Sequence, residues 1–251
     1  MYNLIVVFIM GLIFGSFYNV VAYRLPNHLS IVKPRSFCPT CQNQLKWYEN
    51  IPLFSYLIQL GKCRNCKTKI SFFYIFIELL TAMLFALSYY LFQFSELFFI
   101  SLIVSSFLVI VIVSDCRYLI IPDEVTVAAV ILMLIVKIIY NPFTKVLEYL
   151  LAGLVLFIIM YLIMYAGNKI FKKESLGGGD IKLMFFSGLT VGIPLGVFSI
   201  FLASFIALPI SLVFYLRSKD NVVPFGPFLL IALLAIVLLQ LDINKILAIF
   251  I

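Results

Sequence analysis

The stretch Gly177-Gly178-Gly179-Asp180-Ile181-Lys182 places a carboxylate at the mouth of an apolar segment. Its three glycines let the backbone turn tightly and come close to a bound peptide. The apolar residues 183–186 follow directly and predict a helix that continues into a membrane. Because an ionisable residue at such a place is expensive and usually functional, the stretch predicts that Asp180 is catalytic.

A second carboxylate at a comparable position is Asp115, which follows the apolar run 107–113. Two aspartates at two helix ends indicate an aspartyl protease. If the two carboxyl groups share one proton, one can activate a water while the other protonates the scissile carbonyl. We therefore expect Asp115 and Asp180 to act as a pair, and this hydrolysis needs no metal or other cofactor.

The composition indicates the class of protein. Hydrophobic residues make up 64% of the 251 residues, charged residues make up 12%, and the mean hydropathy is +1.16. These values predict an all-α, polytopic membrane protein, and the length allows about eight transmembrane helices with one small extramembrane loop domain. The expected organisation is a first transmembrane helix at 1–23, a loop domain at 24–70 and a transmembrane peptidase bundle at 71–251.

The loop at 24–70 carries the net charge of the chain. It contains eight Lys/Arg and one acidic residue, so it accounts for the whole net charge of +7. Short cytoplasmic loops of membrane proteins are rich in Lys/Arg, which predicts a cytoplasmic loop in contact with membrane lipids. Nucleic-acid binding is a weak alternative, and we expect no nucleic-acid partner.

A cytoplasmic loop fixes the predicted topology in a cell membrane, with both termini outside. With this orientation fifteen Lys/Arg lie inside and three outside, and both Asp115 and Asp180 lie on the cytoplasmic side. The predicted spans are about 4–22, 72–94, 97–114, 124–140, 146–167, 180–189, 192–216 and 225–241.

The first span lacks the basic start and the cleavage site of a signal peptide, so we expect it to be retained as an anchor. Gly11, Gly15, Ser16 and Asn19 lie on one face at helical spacing. Small residues at this spacing predict close packing on a neighbouring helix.

The loop contains two CxxC pairs, formed by Cys38, Cys41, Cys63 and Cys66. Four thiolates at this spacing can close a tetrahedron around a structural zinc, which a short polar segment in a reducing cytoplasm needs in order to fold. The alternatives are four free thiols and, less favoured, a redox CxxC. The fifth cysteine, Cys116, adjoins Asp115 without a nearby histidine and is interpreted as a small residue at a helix end.

The chain lacks the residue patterns that are typical of other protease classes. The only histidine, His28, excludes an HExxH metalloprotease and leaves a Ser-His pair implausible. A Ser-Lys dyad stays formally possible, although no serine and lysine stand out together in one span.

Several motifs in order resemble the type IV prepilin peptidases, and the resemblance covers nearly the whole chain. They are Gly15 to Pro26, the double CxxC, Trp47 to Pro52, Asp115 to Asp123, Gly177 to Leu183 and Pro224 to Leu229. The resemblance implies a polytopic GxGD-type aspartyl peptidase that cleaves the short basic leader of prepilins at the cytoplasmic face. It also implies that Asp115 and Asp180 are the catalytic aspartates and that the four loop cysteines match the family's quartet. Some relatives have a second acid just after the first aspartate, where this chain has Cys116 and Arg117.

Many members of that family also methylate the new N-terminus with S-adenosylmethionine. The resemblance therefore implies a binding site for S-adenosylmethionine, which we expect the loop and the adjoining helix ends to form.

Alternative interpretations of single residues stay open. Asp180 can cap its helix, and Asp123 is expected to cap the fourth span while remaining the fallback second acid. Glu78 either lines a polar cavity or bonds to a neighbouring helix. For the whole chain, the alternative to a peptidase is a polytopic transporter whose carboxylates relay protons.

Overall fold

The computed structural model describes residues 2–172, 177–217, 224–243 and 245. Every regular element of these residues is helical, with two isolated β-bridges in the loop. This confirms the predicted all-α class. The chain divides into two compact units, Met1–Gln93 and Phe94–Ile251. The three-part division made from the sequence stays a prediction.

Unit 1 is a helical hairpin with a long loop between its arms. Its elements are α1 (Tyr2–Arg24), a 3-10 helix (Trp47–Asn50), the short α2 (Phe54–Ile58) and α3 (Phe72–Phe92). Helix α3 begins after Ser71, whose hydroxyl accepts a hydrogen bond from the N–H of Phe73. Such a side-chain cap supplies an acceptor that the first helical turn lacks.

Helices α1 and α3 pack antiparallel with their backbones almost in contact. A Cβ atom on Gly11 would lie 2.5 Å from the Cα of Ala82, and one on Gly15 would lie 2.8 Å from the Cα of Glu78. Nearby, the Asn19 side-chain amide donates to the carbonyl of Tyr74 at 3.3 Å. The predicted small-residue face is therefore confirmed, and its neighbour is α3.

The described residues of unit 2 form five helices. They are α4 (Glu96–Tyr118), α5 (Asp123–Tyr140), α6 (Phe143–Phe171), α7 (Gly178–Arg217) and α8 (Gly226–Leu238). Pro122 and Pro142 stand immediately before α5 and α6, where a residue without a backbone N–H costs the helix nothing. The C-cap residue of α4 is Leu119, which adopts a left-handed conformation and donates its N–H to the carbonyl of Asp115 at 2.9 Å.

Helix α7 folds back on itself at Gly192. This residue has φ 82° and ψ 178°, a conformation that favours glycine. A Cβ atom on Gly196 would lie only 3.7 Å from the Cα of Gly188, whereas eight residues of an uninterrupted helix span about 12 Å. The two arms, residues 178–191 and 193–217, therefore lie against each other at the turn, and Pro194 opens the second arm.

Five helices are long and apolar enough to cross a membrane among the described residues. They are Tyr2–Arg24, Phe72–Phe92, Glu96–Tyr118, Phe143–Ile170 and Gly178–Val213, and Gly226–Leu238 is a shorter apolar helix. A helical membrane protein is thus confirmed, whereas the count of eight spans is not. The difference arises because α5 carries three charged residues and because Gly178–Val213 is one element with a reversal inside it.

The N-terminus of α4 is fixed to α5 and α6 by a buried lysine. Lys137 on α5 is 3% exposed, and its Nζ lies 3.4 Å from Oε1 of Glu96 and 3.9 Å from the ring centre of Tyr149. Asn141 donates to the same glutamate oxygen at 2.8 Å. This cluster was not predicted from the sequence, although a lysine inside an apolar run was its visible signal.

We predict that Gly11→Ala destabilises unit 1 by about 1–3 kcal/mol, because the new methyl group overlaps the backbone of α3. A suitable measurement is the free energy of unfolding of the detergent-solubilised protein. Gly178→Ala is the matched control, since a Cβ there meets nothing within 4 Å. Equal stability of Gly11→Ala and the wild type would contradict the packing described for α1 and α3.

Candidate active site and metal centre

Asp115 lies in the last turn of α4 and is 7% exposed. Its carboxylate accepts a hydrogen bond from the backbone N–H of Gly226, the first residue of α8. A Cβ atom on residue 226 would lie 3.0 Å from Oδ2 of Asp115, so only glycine lets the chain approach this closely. A buried carboxylate thus receives a donor from a helix N-terminus, where negative charge is favoured.

Asp180 lies in the first turn of α7 and is half-buried. The carbonyl of Gly177 accepts from the N–H of Asp180 at 3.1 Å, and the N–H of Gly177 donates back to the Asp180 carboxylate. This is the arrangement of an acid at the third helical position that binds the capping residue. Asp180 does assist the helix start, but from the third position rather than as the N-cap residue.

The side chain of Ile121 lies beside a neighbour of each of the two aspartates. A Cβ atom on Gly179 and one on Gly226 would each lie 2.9 Å from Cδ1 of Ile121. The connection between α4 and α5 is therefore packed against the starts of both α7 and α8. Gly226 adjoins the Asp115 carboxylate and Gly179 directly precedes Asp180, so unit 2 brings the two predicted residues into one neighbourhood.

Asp123 has a different role from the predicted helix cap. Pro122 is the N-cap residue of α5, no side chain caps this helix, and the carboxylate of Asp123 forms an ion pair with Nζ of Lys182. The capping interpretation is therefore wrong. Since Lys182 follows Asp180 by two residues on α7, the pair fixes the start of α5 to the start of α7.

An apolar groove extends from this ion pair along α5, α6 and α7. Its volume is about 400 Å³, and its lining is mainly apolar. The lining residues are Asp123, Thr126, Val127, Val130, Leu154, Phe157, Lys182 and Phe185. The groove was not foreseen, because its residues come from three helices whose packing the sequence does not reveal.

The four loop cysteines of unit 1 form a compact cluster. Their sulfur atoms lie within 4.8 Å of one another, and those of Cys38 and Cys66 are 3.8 Å apart. A tetrahedral site with metal–sulfur bonds of about 2.3 Å has sulfur–sulfur edges of about 3.8 Å. None of the cysteines is in a disulfide. The cluster can therefore hold a metal ion, as the CxxC spacing predicted.

Two similar turns present the cysteines. Gln42 donates its N–H to the carbonyl of Cys38 at 2.8 Å, and Lys67 donates its N–H to the carbonyl of Cys63 at 3.0 Å. The Thr68 hydroxyl lies 2.9 Å from the Cys66 sulfur and lowers the pKa of that thiol to about 6. A lowered pKa favours the thiolate, which is the form that binds metals.

Glu78 on α3 is buried and bonds outside its own helix. Its Oε2 accepts from the backbone N–H of Leu53 at 2.9 Å, and its carboxylate also accepts from the Ser16 side chain on α1. Of the two interpretations left open, bonding to a neighbouring helix is confirmed. The bond to the loop had no signal in the sequence.

Two family models match this chain, and the boundary between their matches lies close to the boundary between units 1 and 2. The model of the bacterial peptidase A24 N-terminal domain matches residues 9–92, and that of the type IV leader peptidase family matches residues 102–212. The prepilin leader peptidase/N-methyltransferase of Bacillus subtilis is 37% identical over 191 residues, which cover 75% of this chain and 73% of the relative. The chain belongs to the type IV leader peptidase family.

Two further relatives support this membership. The prepilin leader peptidase/N-methyltransferase of Vibrio cholerae is 33% identical, with 81% of this chain and 83% of the relative covered. The type 4 prepilin-like proteins leader peptide-processing enzyme of Escherichia coli is 32% identical, with 92% and 91% covered. No solved structure matches the chain. The family and the apolar helices identify a multi-pass membrane protein, and the alternative of a proton-relaying transporter finds no support.

We predict that the purified protein contains one metal ion per chain and that Cys63→Ser removes it. Cys63 is a buried member of the cluster, so its loss removes one of the four sulfur ligands and opens the coordination sphere. Elemental analysis by mass spectrometry measures the ion. Cys116→Ser should keep a full metal content, because Cys116 is exposed in unit 2 and belongs to no such cluster in the described residues. A wild-type protein without metal would contradict the prediction.

Proposed function

We propose that this chain cleaves the short basic leader peptide of prepilins or pilin-like proteins by aspartyl chemistry and N-methylates the new N-terminus. The observation that supports this proposal most strongly is the pair of aspartates in one neighbourhood of unit 2. Asp115 lies at the end of α4 and Asp180 lies at the start of α7. The names of the relatives supply the substrate class and the second activity.

Peptide hydrolysis requires one carboxylate and one carboxylic acid. The ionised member of the pair removes a proton from water, and the water oxygen attacks the scissile carbonyl carbon. The protonated member donates its proton to the carbonyl oxygen. When the tetrahedral intermediate collapses, the carbon–nitrogen bond breaks and the proton taken from water passes to the leaving amine. Backbone N–H groups from Gly226 and Gly177 keep both side chains oriented through these steps.

We propose an arrangement of eight membrane segments with the loop and both aspartates on the cytoplasmic side and both termini outside. The segments are α1, α3, α4, α5, α6, the two arms of α7, and α8. The reversal at Gly192 supports counting α7 twice, although its first arm of fourteen residues is only about 21 Å long. The excess of Lys/Arg in the loop supports the orientation.

The apolar groove suits the part of the substrate that follows the leader. A prepilin carries an apolar helix after its basic leader, and the groove offers valine, leucine and phenylalanine side chains to such a helix. Its polar end at Asp123 and Lys182 lies two residues along α7 from Asp180. A helix bound there would bring its leader end towards the aspartates.

For the cysteine cluster we propose a structural zinc. Four thiolates leave no coordination position for an activated water, so the ion stabilises the loop and takes no part in hydrolysis. A segment of this size, with few buried apolar side chains, depends on such a cross-link to fold.

For methyl transfer we propose that S-adenosylmethionine binds to unit 1, between the loop and the adjoining ends of α1 and α3. When bound, this molecule supplies a methyl group on a positively charged sulfur. The names of the relatives, which include N-methyltransferase, support this proposal. The positive charge of the loop does not help to attract S-adenosylmethionine, which is itself positively charged at sulfur.

We predict that Asp115→Asn and Asp180→Asn each abolish leader cleavage. Asparagine keeps the size of the side chain but can neither take a proton from water nor donate a carboxylic proton. Mass spectrometry of a candidate prepilin co-expressed with the protein reports the cleavage site and any N-terminal methyl group together.

Asp123→Asn is the matched control for these variants. It removes a nearby carboxylate that is 68% exposed and paired with Lys182, so cleavage should continue. Cleavage by both the Asp115 and the Asp180 variants at normal expression would refute aspartyl catalysis. Loss in Asp123→Asn alone would instead assign the second acid to that position.

We also predict that activity in reconstituted vesicles falls when anionic lipids are replaced by zwitterionic ones. Lys62, Lys67 and Lys69 are exposed on the loop, and each basic residue near an anionic surface contributes about 1 kcal/mol of attraction. Replacing the three lysines with Gln should cause the same loss in anionic vesicles. Equal activity in both lipids at matched insertion would mean that the loop charge sets topology only.

A further inference from the structure

Glu78 is a buried carboxylate without a cationic partner in the part of unit 1 that the structure describes. It is 7% exposed, and the ion pairs of the described residues involve only Glu96 and Asp123. Its hydrogen bonds come from one backbone N–H and one hydroxyl, which are both neutral donors. A buried charge with only neutral partners is costly, which indicates that a positively charged group completes this site.

A second incomplete acceptor lies one helical turn away on the same interface. Asn19 is 5% exposed, and its amide nitrogen donates to the carbonyls of Gly15 and Tyr74 at 3.2 and 3.3 Å. Its Oδ1 is buried and has no hydrogen-bond partner among the described residues. Gly15 faces Glu78 directly, and Tyr74 precedes Glu78 by four residues on α3. The amide oxygen and the carboxylate therefore belong to one acceptor-rich region.

The chemistry of this region selects its ligand. A carboxylate and an amide oxygen both accept hydrogen bonds, so the best partner is a cation with several N–H donors. A protonated α-amino group has three such donors and one positive charge. A sulfonium has the charge but no donor, and it therefore satisfies this region less well.

We propose that Glu78 and Asn19 bind the α-amino group that is methylated, so that unit 1 contains its own acceptor site for the cleaved substrate. This inference rests on the proposed function. Glu78 takes one proton from the bound ammonium, and the freed nitrogen lone pair attacks the methyl carbon of a sulfonium donor. The nitrogen–carbon bond forms as the carbon–sulfur bond breaks, and the sulfur leaves as a neutral thioether.

The loop turn at Leu53 covers this site. Leu53 has φ 62° and ψ −52°, and the N–H of Phe54 donates to the carbonyl of Pro52 at 2.6 Å, which makes a strained three-residue turn. The N–H of Leu53 now uses the Glu78 oxygen that an ammonium would use. Strained backbone of this kind is common where a segment has to move during function, and withdrawal of this turn would admit the substrate.

The test compares two fluorescent peptides on the full-length protein in lipid nanodiscs at pH 7. One is an apolar peptide amide with a free α-amino group, and the other is the same peptide with an acetylated N-terminus. The wild type should bind the free amine more tightly by about tenfold to a hundredfold, as expected for hydrogen bonds to a charged group. Glu78→Gln should reduce this ratio to about one.

Glu49→Gln is the matched control, since Glu49 is the other acidic residue of unit 1 and binds only the N–H of Lys46 in the hydrogen bonds described. It should keep the wild-type ratio. Asn19→Ala should lower the ratio severalfold and gives a second reading if Glu78→Gln is poorly folded. Metal content and leader cleavage, measured on the same samples, report whether each variant is intact.

Three results would overturn the proposal. The first is an unchanged ratio in Glu78→Gln. The second is an equal loss of affinity for both peptides in that variant. The third is weaker binding of S-adenosylmethionine by that variant while its preference for the free amine is retained. The first denies amine binding, the second assigns a purely structural role and the third assigns the site to the sulfonium. A wild type that cleaves without methylating would refute the methyltransferase function separately, because the peptide ratio needs no turnover.

Discussion

The hydrogen bond from the Gly226 N–H to the Asp115 carboxylate is the interaction on which unit 2 depends. The carboxylate of Asp115, a residue that is only 7% exposed, needs a donor, and α8 supplies it with its first residue. This requires α8 to start against the last turn of α4, which in turn requires glycine at 226 and the side chain of Ile121 beside it. The end of α4, the α4–α5 connection and the start of α8 thus meet around the buried side chain of Asp115.

Unit 1 also contains a buried carboxylate that needs a hydrogen-bond donor, but the donor comes from a different kind of element. Its buried carboxylate, Glu78, takes its backbone donor from the loop rather than from a helix start, and the loop adopts a strained turn at Leu53 to provide it. In each unit a backbone N–H serves as the partner of an acid, so a change of side chain cannot remove the donor. A movement of the backbone can remove it.

Short sequence patterns were enough to predict most of the helices, one close helix contact and the cysteine cluster. The face with Gly11 and Gly15 predicted a close helix contact, the CxxC spacing predicted the sulfur cluster, and apolar runs predicted the helices. The partners of single charged residues could not be predicted, because Asp123 meets Lys182 and Lys137 meets Glu96 only after helices distant in sequence have packed. The reversal at Gly192 was visible as a gap between two predicted spans, but its φ of 82° was not.

The buried lysine cluster at the far end of α4 has a mechanical consequence. Lys137, Glu96 and Asn141 hold α4 and α5 together at the end opposite Asp115, about 28 Å away along the helix. At the opposite end the short connection 119–122 joins α4 directly to α5. The two helices are therefore held together at both ends, and we expect them to move as one rigid pair. Any opening that admits substrate would then have to occur between this pair and the starts of α7 and α8.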